Sequence, residues 1–480
     1  MPSQYSRRQA IRCAFRAAYG CMLVLFVLAS NPGVAQTQWT GSASHWWWWH
    51  NNWSPAMIPL GGDVDLDVVN PHYAVVSEGQ TALLDTLRVG VDNEGRLVIV
   101  SGGTARSAEG IVGTHPGSSG RVEIIDPGSV WEVSQNLRVG KQGDGLMSIT
   151  HGSGAQARDV TVGQMPGGDG RINVLHPGSS LEIGQQLGVG TGGFGMLLLA
   201  SGATASSTDA VVGTSGGIGV LFVITEISSW TNTGPLSVGD QGQGFVYVEE
   251  GGAMETGQAW IGLSGGKGEV RVLHEGSSWS SDGDVVIGQS GSEGLLRIDA
   301  GASVTVGGSV AVGGDDQSSA RLWVDGTIEV AGSIAIGENG RLSGHGVVQA
   351  PVSIGAGASI VPGGSTPGTL ATGPLTLAGE AMAQFSLDTP GVTVSDVNSL
   401  VEVDGDLTIG GTVDIVNLGG MDAGTYTLFT YTGSLTDNGL AIGTLPTFLE
   451  ATVDTSTSGE VRLQVTSDRY FTDRFESTAQ

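Results

Sequence analysis

Lysine is nearly absent from this chain of 480 residues; it occurs only at Lys141 and Lys267. Basic residues number 20 against 47 acidic ones, a formal charge of -27. That imbalance excludes nucleic acid and anionic membrane surfaces as partners, because both need clustered lysine and arginine. Cysteine occurs twice, at Cys13 and Cys21. Both fall in a predicted leader, so the exported chain is expected to have no disulfide, no thiol nucleophile and no cysteine-ligated metal. Long apolar runs are missing too. The segment "CMLVLFVLAS" at 21–30 is well short of the ~20 residues of a membrane span, and no transmembrane segment is expected in the mature chain. Runs of helix formers at helical spacing are scarce, which argues against a helical fold.

Glycine is what the chain has in excess: 81 residues, about 17% and more than twice the usual share. It does not fall at every third position, so a collagen helix is excluded. Val, Ile and Leu recur in short spaced runs, which a disordered chain lacks. Residues 1–35 read as a secretory signal peptide: a basic front, a short apolar core, and "GVA" at 33–35 before the cut. The segment "SRRQAIR" at 6–12 partly matches a twin-arginine signal, with Ala10 where a larger apolar residue is usual. Removing the four arginines at 7, 8, 12 and 16 leaves sixteen basic residues against 47 acidic, or -31.

A Val-Gly or Ile-Gly pair recurs with its glycine at Gly90, Gly113, Gly140, Gly163, Gly190, Gly213, Gly239, Gly262, Gly288, Gly313 and Gly337. Short and long intervals alternate, beginning 23, 27, 23, 27, and give a double repeat of 49 or 50 residues. One half reads "VGVDNEGRLVIVSGG" at 89–103; the other reads "GRVEIIDPGSVWEV" at 120–133. Each unit holds two or three short strands rich in β-branched residues and bounded by Gly, Pro, Asp, Asn and Ser. The predicted fold is all-β: a single-stranded parallel β-helix with coils of ~24 residues. One coil cannot bury its own apolar face, and stacking makes the core continuous. The recurrent glycine is predicted at a coil corner, where it takes a positive φ or lets coils approach closely. Trp131, Leu181, Trp230 and Trp279 share one column, spaced 50, 49 and 49 residues. They would recur every second coil, about 9.6 Å apart. Such a column reads either as spaced sugar platforms or as a corner residue covering a gap, the second being the simpler. His115, His176 and His274 are read as turn residues, because one active site needs one copy.

The ends differ from the middle. Residues 36–86 are expected to form a Trp-rich cap and the first coils, 87–340 the repeat solenoid, 341–466 further solenoid or a small β-rich domain, and 467–480 a disordered tail. Six of the eleven tryptophans lie in "WTGSASHWWWWHNNWS" at 39–54. Trp46, Trp47, Trp48, Trp49 and Trp53 are candidates for a cap over the open solenoid end or for glycan contact, with His45 and His50 as a metal alternative. Asp63, Asp65 and Asp67 read as a strand with one solvated acidic face, without the spaced loop of a calcium repeat.

The units "VGxxxxGxLxVxxGG" and "GxVxVxxPGSxW", over about 87–340, resemble the repeat of type V-secreted autotransporter passengers and PEP-CTERM-associated exported proteins. The opening segment, through Trp39, Asn52 and Trp53, is similar to the start of such proteins, and 362–433 looks like the region preceding an autotransporter translocator. The tail "DRYFTDRFES" is similar to a short sorting ending, with Arg474 in place of a glycine. No series of ~10-residue alternating strands that would make a translocator barrel is evident after Thr369. The resemblance implies a β-helical extracellular or outer-membrane surface protein of a Gram-negative bacterium, often adhesive, and brings no catalytic residues.

The function expected is therefore a structural or adhesive one, with no catalysis. The partners would be a host or matrix surface or a glycan, and a separate export machinery. Two alternatives stand beside it. A calcium-stabilised surface-layer or matrix protein would suit the acidic charge, and calcium is the one cofactor considered. A polysaccharide lyase or hydrolase would need a basic residue with a uronate-neutralising cation, or paired carboxylates at a set distance. No basic cleft is evident in the sequence.

Overall fold

The computed structural model describes residues 36–467 apart from 316, 365, 394, 395 and 448. The leader and the tail from 468 lie outside the described residues, and with them the signal-peptide, twin-arginine and sorting-tag expectations. The described residues form a parallel β-solenoid with no α-helix; the one helical turn is a 3-10 turn at His50–Asn52.

Each coil has three legs. In Thr104–Val112 the first two are joined through a bend, and Ser119–Ile125 supplies the third. Three coils further on, the first two legs become separate strands, Ser180–Ile183 and Gln186–Val189. Each leg pairs in parallel with the same leg of the next coil, as in Asp144–Thr150 between Ser119–Ile125 and Asp169–Leu175. The third-leg ladder contains sixteen strands, so the stack is roughly 72 Å long at ~4.8 Å per coil.

The alternation of side chains along each strand puts one set inside. In the second leg, Val89, Val112, Val139, Val162 and Val189 follow one another in register, all fully buried. In the third leg, Val122, Met147, Ile172, Leu197 and Leu221 do the same. Burial of each is worth ~1.5–3 kcal/mol, and because each coil also covers the next, the core is one uninterrupted column.

The recurrent glycine follows the second leg. From Gly90 to Gly313 it takes a φ between 66° and 77°, the left-handed region that costs other residues energy. Space is also short there: a Cβ on Gly113 would lie 2.4 Å from the Asp144 carbonyl oxygen of the next coil. Gly337 departs from the pattern. Its φ is not positive, and it serves close approach instead, with a Cβ meeting Gly314 Cα at 2.8 Å.

The tryptophan column shows why the repeat is double. Ala105, Trp131, Ala155, Leu181, Ala205, Trp230, Met254 and Trp279 follow one another in register along the first leg. Each tryptophan is buried, and its indole reaches back over the preceding coil. Its Nε1 donates to Ser107 Oγ (3.1 Å), Ser207 Oγ (3.1 Å) or Thr256 Oγ1 (3.0 Å) for Trp131, Trp230 and Trp279 respectively. The preceding coil is small where the ring arrives: Gly110 lies under Trp131, and the register puts Ala210 and Ala259 at the equivalent position in the coils before Trp230 and Trp279. A Cβ on Gly110 would stand 2.7 Å from Trp131 Cζ2. Where Leu181 replaces tryptophan, the preceding coil carries Ala157 in place of the hydroxyl and Val160 in place of the small residue. Sugar platforms are thus excluded for this column, because its side chains are inside.

Beyond residue 338 the coils continue in register. Ile334–Ile336 pairs with Val352–Ile354, then Leu375–Leu377, Leu407–Ile409 and Leu435–Asp437. The stack then closes with reversed strands: Glu460–Ser467 runs antiparallel to both Gly424–Tyr431 and Leu449–Asp454. Antiparallel pairing stops the addition of another parallel coil and blunts the sheet edge.

Candidate functional site

At the N-terminal end, Thr37–Trp39 pairs antiparallel with Trp53–Ser54 and parallel with Asp63–Leu66. This places Trp39, Trp47 and Trp53 over the open end of the core. Their rings pack edge-to-face at 4.9 Å (Trp39 on Trp53) and 4.6 Å (Trp47 on Trp53). All three are buried, and Trp53 Nε1 donates to the Trp47 carbonyl at 2.8 Å. Asn52, also buried, holds the loop closed. Its Oδ1 accepts from the Ala43 and Ser44 N–H groups, and its Nδ2 donates to Ser44 Oγ and the Trp46 carbonyl.

The four-tryptophan run is therefore divided. Trp47 plugs the core and Trp48 packs half-buried against it. Trp46 and Trp49 are each 52% exposed. Trp53, a candidate for glycan contact, is inside and unavailable to a ligand. His45 packs on His72 and Tyr73 (4.6 and 4.4 Å), whereas His50 lies against Trp49. The two histidines thus do not converge on one ion. Among the described residues no three His, Cys, Asp or Glu side chains converge as metal ligands.

The acidic alternation at Asp63, Asp65 and Asp67 is not a solvated face. Asp65 is buried and receives Arg88 Nε at 2.6 Å, while Arg88 Nη1 reaches Asp63 at 3.1 Å. Burial pushes the Asp65 carboxyl above its ordinary value, and the Arg88 charge opposes this. Asp67 accepts the backbone N–H groups of Val91, Asp92 and Asn93 and anchors the next corner. Alternation alone did not show that these acids are partnered across coils.

Two of the three repeated histidines share a turn, and one does not. His176 and His274 sit at a positive-φ turn after the third leg, together with His151, which the sequence reading passed over. His115 lies before that leg and bonds Asp92 at 2.8 Å. His151 and His176 pack with their rings tilted by 35° and centroids 4.2 Å apart.

A surface that sequence reasoning missed lies where the first two legs bend. The register slips there, between Ala157 and Asp159, and an open groove of about 600 Å³ follows the coils. Its walls are polar, with Asn136, Arg138, Asp159, Gln164, Gln185 and Asp209 among them. Its ions are mostly paired: Arg138 with Glu109 at 2.6 Å, and Arg158 with Gln185 Oε1 at 3.0 Å and Asp159 at 3.6 Å. A row of amide, hydroxyl and paired ionic groups carried over four successive coils suits a long hydroxyl-rich ligand better than one small molecule.

The comparison that bears on function is with an adhesin. A segment of 108 residues is 41% identical to the BmaC autotransporter adhesin of Brucella suis biovar 1. It covers 22% of this chain but only 3% of that much longer protein. No protein-family model matches the chain. An autotransporter passenger likeness on a parallel β-solenoid is consistent with a surface-associated structural or adhesive role.

Proposed function

We propose that this protein is an exported, cell-surface adhesive solenoid of autotransporter type, displayed by a Gram-negative bacterium, and that it binds without catalysis. The single observation that carries this reading is the 41% identity to an adhesin passenger in a chain built as a rod. A host or matrix surface, or a glycan on it, is the proposed partner. The groove at the bend and the exposed rings of Trp46 and Trp49 are the proposed contacts, because amphipathic rings and amide ladders both suit sugars. A separate export machinery would place the chain outside, in the manner of type V passengers or PEP-CTERM-associated proteins.

The test is binding of the purified chain to a glycan and matrix-protein array, with the products analysed. Retention on an array component without turnover supports the reading. Release of reducing ends or unsaturated uronates would replace it with the polysaccharide-enzyme alternative. The proposed chain needs no cofactor. A fall of several degrees in melting temperature on chelation would instead favour a calcium-stabilised surface-layer or matrix protein.

A further inference from the structure

The outer face of the third-leg sheet changes character over three coils. Along most of its length the outward columns carry polar residues with single apolar interruptions such as Leu146, Leu295 and Trp323: Arg96, Arg121 and Arg171 stand before the change and Arg271, Arg297 and Arg321 after it. Across Phe194–Ala200, Ile218–Ile224 and Gln243–Glu249 they become apolar. Leu198, Phe222 and Tyr247 form one outward column, and Met196, Val220 and Phe245 form the next. Phe222 and Tyr247 stack at 5.1 Å and 16°. Their inward neighbours Leu197, Leu199, Leu221 and Val223 already fill the core, so the outer rings add nothing to it. A sheet face turned to water is expected to be polar, and a contiguous apolar field on it marks a contact.

Charge at the two borders points to what covers it. Five consecutive strands are involved, with Ile218–Ile224 in the middle. The strand on one side, Asp169–Leu175, turns Asp169 and Arg171 outward, paired with each other at 2.8 Å; the strand on the other, Lys267–Leu273, turns Lys267 outward in the column of Asp169, and Glu269, buried and bound by Arg271, in the column of Arg171. The order is acid then base on one border, and base then acid on the other. A second copy turned about a two-fold axis parallel to the strands, over Val220 and Phe222, sets Asp169 against Lys267 and Arg171 against Glu269. It does so twice, by symmetry. The same operation sets Met196 against Phe245 and Leu198 against Tyr247. No like charges meet directly within these five strands. Five strands at ~4.8 Å and seven residues at ~3.3 Å give a face of roughly 550 Å². Two such faces bury roughly 1,100 Å², just above the ~1,000 Å² expected of a specific interface.

We propose that two copies of this chain pair side by side through this face, with their rods antiparallel. The contact is isologous, so it closes at two and does not by itself build a filament.

The test is sedimentation of the purified exported chain across a concentration series, beside its variants. A concentration-dependent dimer is expected. Phe222→Glu puts two carboxylates against each other near the axis and is expected to weaken the dimer roughly hundredfold or more. Its circular dichroism and melt should match the parent, since Phe222 is outside the core. Lys267→Glu, at an exposed position, sets glutamate against Asp169 and should weaken the dimer. Asp169→Lys combined with Lys267→Glu should restore it. The predicted absence of cysteine after residue 21 allows a second measurement that does not depend on affinity. Val220→Cys lies near the axis and should form a disulfide dimer on mild oxidation. Ser148→Cys, three coils from the centre on the same face, would be ~29 Å from its own copy and should not. A parent chain that stays monomeric, a dimer indifferent to Phe222→Glu, or a charge reversal that the double variant fails to repair would each overturn the proposal.

Discussion

The pairing of each large corner residue with a small coil before it makes a quantitative prediction. Trp230 is fully buried, and its indole lies over the coil that carries Ser207 and Ala210. Trp230→Leu removes half of a ring system and one buried hydrogen bond. Complete truncation of a buried tryptophan to alanine costs ~3–5 kcal/mol; leucine refills part of the void, so ~2–4 kcal/mol is expected. Ala210→Val alone pushes two methyl groups into the indole and should cost ~1–3 kcal/mol by overpacking. The double variant copies an arrangement the chain already uses, Val160 before Leu181. There the added methyls occupy the space the ring has left, worth ~1–1.5 kcal/mol at ~0.8 kcal/mol per carbon. Ala210→Val is thus expected to change sign, from destabilising in the parent to stabilising in the Trp230→Leu background, a coupling of ~2–4 kcal/mol. The assay is a double-mutant cycle by urea unfolding, with hydrogen exchange in residues 204–238 as a local readout, because a repeat protein can open one coil at a time. If the two substitutions add within ~0.5 kcal/mol, the account of the double repeat is refuted.

Other outcomes follow from the same geometry. Gly113→Ala should cost ~2–4 kcal/mol, since it combines a left-handed φ of 75° with a Cβ 2.4 Å from a carbonyl of the next coil. Gly102→Ala, at φ 79° with open space around it, should cost only ~1 kcal/mol in the same thermal melt. Trp47→Ala should destabilise the N-terminal end by ~3–5 kcal/mol, read as early exchange of residues 63–89. Trp46→Ala and Trp49→Ala should leave the melt unchanged and lower retention on the ligand found by the array; unchanged retention would remove these rings from the binding surface. At low pH the coil that holds Asp406 should weaken. The backbone N–H and hydroxyl of Ser434 hold this carboxylate and lower its pKa from the ordinary value. Its contribution is present above the ordinary carboxylate pKa of about 4 and is lost as pH falls through the lowered value. Asp406→Asn should flatten that part of the acid profile, and an unchanged profile would show that the hydrogen bonds add no stability.

The fold could be read from the sequence because its determinants repeat. The Val-Gly pair marks one fixed point per coil, and ten of the eleven glycines share the φ that makes the point necessary. The tryptophan column was visible as a spacing, but not its meaning. The ring of Trp131 serves the coil before it, so its partners Ser107 and Gly110 lie some twenty residues upstream, and only the register of the first leg brings them together. The same limit applied to Asp65, Asp67 and the groove at the bend, each defined by contacts from one coil to the next. Division of the Trp46–Trp49 run into a plug and an exposed pair was equally hidden, because the segment follows neither strand nor helix periodicity.

Coil-to-coil register also explains how a rod can carry a binding surface at little energetic cost. Inward positions are tied to their neighbours on both sides, so change there must be compensated, as Val160 compensates Leu181. Outward positions are free of that constraint, and the third-leg columns run through arginine, asparagine, leucine, phenylalanine and tyrosine without altering the core beneath them. Any sequence can be written on that face provided the strand tolerates it, and β-branched or aromatic residues are tolerated best. The apolar field at Phe222 is therefore not a by-product of folding. Phe222→Thr should leave the coil as stable as the parent within ~1 kcal/mol. A larger loss in the monomer would mean that the ring belongs to the fold after all.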